Sequence, residues 1–224
     1  MFLFMSGNSS LVRLLLQIFA VLSALFIAMP FHEFAHAFAA KHEGDFTAVA
    51  HKRYTLAPLA HIDKVGFIFL FLFGFGWAKP VPVEPRNFKR GRLSSFLVSV
   101  AGIVTNMVLG IFFLFIYFLI LKLFPNFYAS GVIGEVYKTF LSASIIMNFS
   151  LAFFNLLPIY PLDGYRICAS FSKYDNTFLA FLRRYSVFIY IILMITGVYS
   201  IVFNTVMGSL IEGLRKLFIT ILRI

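Results

Sequence analysis

His32, Glu33 and His36 form an H-E-x-x-H motif inside a strongly apolar stretch. On a helix His32 and His36 lie four residues apart, so both imidazoles leave one face and can hold one metal ion. Glu33 stands beside them, placed to take a proton from water at that metal. In hydrocarbon surroundings a glutamate and two histidines are costly unless a metal, water or one another satisfies them. Residue types and spacing thus point to a zinc hydrolytic site inside a membrane. A catalytic zinc takes three protein ligands and leaves one position open, so a third ligand must come from elsewhere. The choices are His42, His51, His61, Cys168 and the acidic residues. Asp163 stands out among them, because Pro158 and Pro161 stop the preceding helix and Gly164 permits a tight turn that aims a carboxylate inward.

The elements that position these residues have to be membrane helices. Of 224 residues, 61% are hydrophobic, 31 are Phe and only 12% are charged, against about 25% charged in soluble domains. Mean hydropathy is +0.92. The net charge of +10 fits basic loops facing the cytoplasm beside anionic lipid. No polar domain interleaves basic and aromatic residues, which excludes a nucleic-acid partner. A single cysteine, Cys168, excludes an intrachain disulfide and any cysteine-rich metal site. The first apolar run lacks a small-residue cleavage site and reads as a retained span.

The fold class expected is an all-α membrane protein, a polytopic helical bundle of four to six membrane segments in one domain, residues 1–224. The first span covers about residues 11–40 and carries the histidines in its last third. A polar loop, residues 41–64, follows, with Gly44 as helix stop. The apolar run at 65–77 is too short for an ordinary span, and Gly66, Gly74 and Gly76 disfavour a helix there. It reads as a re-entrant segment that dips in and returns, the alternative being a short tilted span. Residues 79–85 carry three prolines and must be extended. Further spans are expected near residues 93–121, 138–157 and 185–206. Residues 210–222 read as an amphipathic helix lying in the interface, with Glu212, Arg215 and Lys216 opposite its apolar face. Segments 41–64, 79–92 and 163–184 hold most of the Lys and Arg, which places all three in the cytoplasm. That orientation brings the histidine motif and Asp163 to one depth.

Together, His32-Glu33-Phe34-Ala35-His36 and the N-x-x-P-x-x-x-L-D-G stretch from Asn155 to Gly164 resemble the site-2 protease family of intramembrane zinc metalloproteases. The resemblance covers essentially the whole chain and is to the short prokaryotic branch without a PDZ or CBS domain. It implies His32, His36 and Asp163 as ligands of one Zn2+, Glu33 as catalytic base and Asn155 as a polar helper near the substrate or the oxyanion. It also implies membrane-protein substrates with a transmembrane helix in a prokaryotic cell membrane, and the orientation set by the basic loops puts the cut near the cytoplasmic side. Ile103 departs from the family, whose members usually carry proline there.

Gly74, Gly76 and Asn106 are placed on the substrate side, and the extended 79–85 stretch is expected to offer an edge to an unwound substrate strand. Gly102 and Gly110 read as helix-packing positions, and His61 and Asp63 as either a pair near the site or solvated loop residues. His42, Glu43 and His51 read as loop residues. A homo-oligomer is an option the sequence leaves open. Two other function classes fit a membrane metal site: a metal transporter, which needs carboxylates along a path, and a non-catalytic chaperone of single-span proteins.

Overall fold

The computed structural model describes residues 11–73, 78–126, 131–172 and 176–224. In chain order its helices are α1 (Leu11–His42), α2 (Thr47–Ala50), α3 (Pro58–His61), α4 (Lys64–Phe73), α5 (Arg92–Leu123), α6 (Gly131–Leu156), α7 (Asp163–Phe171), α8 (Thr177–Arg184), α9 (Ser186–Ile195) and α10 (Val198–Leu222). Three of them, α1, α5 and α6, are long and apolar enough to cross a membrane, and the α9–α10 pair, bent by 73°, makes a fourth if counted as one span. The chain is a multi-pass helical membrane protein, at the low end of the expected number of segments.

The three long helices pack on each other through small residues. Ala20, Ala24 and Ala28 recur every four residues on α1 and are all buried; Ala20 and Ala24 pack with Ala143 of α6. Small side chains allow the close backbone approach that replaces the hydrophobic driving force in lipid. On α5, a Cβ at Gly110 would sit 3.0 Å from the Phe149 ring of α6, so the packing role read for Gly110 is seen directly. Phe113, Leu114 and Phe118 of α5, Leu141, Ile145, Phe149 and Phe153 of α6, and Met207 and Phe218 of α10 complete an apolar core.

Two boundaries differ from expectation. The third span starts at Gly131 instead of near 138, and its added turns carry Glu135, paired with Arg13 of α1 at 3.3 Å. The C-terminal region is not a span at 185–206 followed by an interfacial helix. It breaks at Gly197, whose φ of +68° is left-handed and open to glycine without strain, and then runs as one continuous helix. Part of the apolar face of α10 is taken up by the bundle, while Leu217 and Ile221 stay exposed. The packed part runs along the bundle, with Tyr199 and Phe203 against Phe153 at 5.7 and 5.6 Å and Phe218 against Phe115 at 5.5 Å. The Lys122 ammonium donates to the Leu222 carbonyl at the far end. A long apolar stripe is satisfied as well by neighbouring helices as by an interface, and periodicity alone does not distinguish them.

The run at 65–77 returns to where it starts. Ile62 and Ala78 form an antiparallel bridge, and Lys79 N–H donates to the His61 carbonyl at 2.8 Å. Its first part is helical, contrary to expectation, because Gly66 falls in the first turn of α4. There the Asp63 carboxylate accepts from the Gly66 N–H at 2.8 Å, and capping offsets the glycine penalty. Ten helical residues reach about 15 Å, half a bilayer. Gly74 and Gly76 lie outside the described residues.

At the same end of the bundle, two carboxylates hold the polar loops together. Glu43, read as a loop residue, is buried and pairs with Arg90 and with the Ser94 hydroxyl at 2.5 Å. Asp45 is fully buried and accepts from the N–H groups of Thr47 and Glu84 at 3.0 and 2.8 Å and from Asn87 Nδ2 at 2.9 Å. The hydrogen bonds from Arg90 and Ser94 lower the Glu43 pKa from 4.5 to about 2. Burial pushes the Asp45 carboxyl up, but hydrogen bonds from Asn87, Thr47 and Glu84 outweigh it and leave the pKa lowered. Depressed carboxylate pKa values stabilise the fold fully above the unfolded values and progressively less as pH falls through the folded ones. The melting temperature in detergent is therefore expected to hold above pH 4.5 and to fall between pH 4.5 and about 2. Glu43→Gln with Asp45→Asn should flatten that acid limb; an unchanged limb would show that other groups set it.

Candidate metal centre

The last third of α1 sets His32 and His36 on the face turned to α5. His32 Nδ1 lies 2.6 Å from Asn106 Oδ1, and His36 Nδ1 lies 2.7 Å from the Val98 carbonyl. The direction of the first bond follows from its neighbours. Asn106 Nδ2 donates to the Ala28 carbonyl at 3.1 Å and to Asn148 Oδ1 at 2.9 Å, and Asn148 Nδ2 donates to the Ser144 carbonyl at 2.8 Å. Asn106 therefore presents its oxygen to His32, which must donate from Nδ1. Both histidines then carry their proton on Nδ1 and a lone pair on Nε2.

Those two Nε2 atoms face each other at 3.1 Å, and Asp163 Oδ2 lies 3.2 Å from His32 Nε2 and 3.1 Å from His36 Nε2. Asp163 Oδ2 is buried without a hydrogen-bond donor. Two lone pairs and a carboxylate oxygen converging in a buried space repel one another unless a cation sits among them. Zinc bonds of about 2.0 Å in tetrahedral array put ligand atoms about 3.3 Å apart, close to the separations found. His32, His36 and Asp163 are the one such group of three among the described residues, and all are buried. The donor set fits zinc.

Asp163 is delivered by the break after α6. It opens α7, where a carboxylate also favours the positive end of the helix. Gly164 matters through close approach and not through a turn: a Cβ there would sit 2.3 and 2.4 Å from the carbonyl oxygens of Leu156 and Leu157. Gly102 is more than a packing position. A Cβ on it would fall 2.5 Å from both His32 Cε1 and His36 Nε2, so α5 can approach the imidazoles only without a side chain at this point.

Glu33 faces an apolar cavity of about 470 Å³ that also reaches His32, His36, Asp163 and Asn155. Its Oε2 accepts from the Val81 N–H at 2.9 Å, a contact the motif does not announce. In the Pro80-Val81-Pro82 run only Val81 has an N–H to give. The extended 79–85 strap is pinned by Arg53, whose buried guanidinium donates to the carbonyls of Ala60 and Lys79. Lys79, Val81 and Glu84 use their N–H groups on His61, Glu33 and Asp45. The expected edge for a substrate strand thus narrows to carbonyls and the Val83 N–H.

Asn155 lines the cavity, with Nδ2 donating to the Leu151 carbonyl at 3.0 Å. Asn106 is not on the substrate side: it is fully buried behind His32. His61 is not a solvated loop residue either; it is fully buried, with Nε2 2.7 Å from the Thr55 carbonyl, and Asp63 caps α4 instead of pairing with it. His42 and His51 are exposed. Ile103 continues α5 as regular helix.

The role of Asn148 is the least visible in sequence, because it touches no ligand. Asn148→Leu removes one of the two acceptors that orient the Asn106 amide, leaving only the Ala28 carbonyl to oppose a turn of its NH2 towards His32, which favours the wrong tautomer. Zinc affinity is expected to fall about tenfold. Asn148→Asp keeps an acceptor for Asn106 and should restore most of it. Metal titration of both variants is the check; equal affinity in the two would remove the relay.

A model of "Peptidase family M50" matches residues 127–197, which include Asn155 and Asp163. The "Putative zinc metalloprotease YwhC" of Bacillus subtilis (strain 168) is 35% identical over 195 residues, 87% of this chain and 88% of that protein. No solved structure matches the chain. With its two histidines, glutamate and aspartate gathered on one cavity wall, the chain belongs to the metalloproteases of peptidase family M50, the site-2 protease family.

Proposed function

We propose that this metalloprotease hydrolyses peptide bonds within or near the transmembrane segments of membrane-protein substrates. The observation that carries the reading is the position of the cluster. His32, His36 and Asp163 converge inside a bundle whose surrounding helices are long and apolar enough to cross a membrane. These three residues would hold one zinc, which when bound polarises a carbonyl and lowers the pKa of its water. Glu33 takes a proton at its carboxylate and returns it to the leaving amine, while the Val81 N–H holds that carboxylate in place. Asn155 stands on the same wall, placed to donate to the oxygen that gains charge. Phe26, Phe67 and Phe154 line the cavity and limit water to what the reaction needs. A helical substrate has to unwind to present a free carbonyl here.

The basic segments 41–64, 79–92 and 163–184 gather at the end of the bundle that holds the site. By the positive-inside rule that end faces the cytoplasm of a prokaryotic cell membrane, and the cut falls near that side. Comparative proteomics of membrane-protein fragments from cells with wild-type or Glu33→Gln protein tests the reading. Fragments ending near the cytoplasmic boundary of a span should vanish in the variant; identical fragment sets would overturn it.

A further inference from the structure

We propose that a second cavity, which adjoins the one at the metal centre and shares Val81 and Arg166 with its lining, binds the headgroup of an anionic phospholipid. The cavity has a volume of about 1050 Å³ and lies between residues 81–88, the start of α5 and one side of α7 and α8 along their lengths. Arg92, Arg166, Arg183 and Arg184 line it, and among the described residues no Asp or Glu does. Elsewhere at this end a carboxylate within reach is used, as Glu43 is by Arg90. Here the guanidinium of Arg183 lies over the Tyr160 ring at 5.3 Å and that of Arg184 over Tyr185 at 5.8 Å. No described carboxylate pairs with any of the four. The four arginines are exposed, and four like charges around one concave space raise the local potential for an anion there. Arginine forks suit phosphate oxygens in particular. The positive-inside rule accounts for basic residues at this end but not for their convergence on one cavity.

Size and surroundings favour a lipid over a free ion. The volume is that of a ligand cavity, far larger than an inorganic anion needs. The helix that supplies Arg183 and Arg184 also exposes Phe178 and Phe181, with Tyr185 directly after it, while Leu179 and Leu182 of the same helix are buried. Phe171, at the end of α7, is exposed too. Exposed aromatics beside arginines mark the membrane–water interface, with the guanidiniums at headgroup depth. Basic pockets between membrane helices on the cytoplasmic side are the usual form of headgroup sites.

The test uses the purified full chain in nanodiscs of mixed phosphatidylglycerol and phosphatidylcholine, with retained lipid read by native mass spectrometry. Wild-type protein should retain phosphatidylglycerol in preference. Arg92→Gln/Arg183→Gln/Arg184→Gln should lower that retention about tenfold or more, with zinc content unchanged. Lys52→Gln/Lys64→Gln/Arg86→Gln removes equal charge at the same end and should leave retention intact. Equal retention of the two lipids by wild type, or equal loss in the two triple variants, would overturn the site. Displacement of phosphatidylglycerol by millimolar inorganic phosphate would overturn the lipid source in favour of a soluble anion. Should the arginine variant melt early, Arg183→Gln alone serves, and undiminished retention there counts against the proposal.

Discussion

Glu33→Gln is expected to lower peptide hydrolysis by about 10²- to 10⁴-fold, the range for loss of a positioned general base, while the protein still carries one zinc per chain. The separation of the two outcomes follows from what Glu33 touches. Its carboxylate is not among the three convergent ligand atoms, which belong to His32, His36 and Asp163. Its carboxylate accepts from the Val81 N–H at 2.9 Å, and the glutamine carbonyl oxygen can accept the same bond. Shape, strap contact and metal ligands are thus kept, and only the basic site is removed. Metal analysis beside a cleavage assay in proteoliposomes reads both quantities. Retained cleavage would remove Glu33 from the reaction, and lost zinc would make it a structural residue of the centre.

Gly102→Ala is expected to weaken zinc binding by at least about 100-fold, more than loss of an outer-shell partner does, although it adds one methyl group on a neighbouring helix. The new Cβ would lie 2.5 Å from His32 Cε1 and from His36 Nε2, well inside van der Waals contact. Neither side can yield at low cost. Each imidazole is tied at Nδ1, one to Asn106 and one to the Val98 carbonyl, and Val98 lies on the same α5 helix one turn before Gly102. Moving α5 away would break those bonds; moving the rings would scatter the ligands. Gly110→Ala is the matched control on the same helix, because its Cβ would meet only the Phe149 ring at 3.0 Å. That variant should lose about 1–3 kcal/mol of stability by overpacking and keep its zinc. Isothermal titration on metal-stripped protein, with melting curves for both variants, separates the effects. Equal zinc affinity in Gly102→Ala and wild type would mean that the helices do not approach as closely as described.

These two experiments also mark the boundary between what the chain states locally and what it states only when folded. The H-E-x-x-H, the three long spans, the extended proline-rich strap and the Asp163 turn are each written in a few contiguous residues. Hydrophobic length, proline and helical spacing are properties of one segment, and they carried through to the structure. The sequence also brought Asp163 to the depth of the histidines, since the positive-inside rule acts on whole loops.

What the tertiary structure alone decided is how one helix meets another. Gly102 is one of many glycines until α5 lies against the imidazoles. Asn106 and Asn148 are polar residues within spans until α1, α5 and α6 close around them and turn a substrate-side expectation into a tautomer-setting relay. Val81 becomes a partner of Glu33 only when the strap folds under α1, and Glu43 becomes buried only when Arg90 arrives. The α10 helix showed its amphipathic stripe in sequence, but whether that stripe faced lipid headgroups or α5 and α6 depended on shapes far away in the chain. The physical reason is common to all of these cases. Periodicity tells which residues share a face, while contact between faces depends on side-chain volumes and hydrogen-bond directions that no single segment contains.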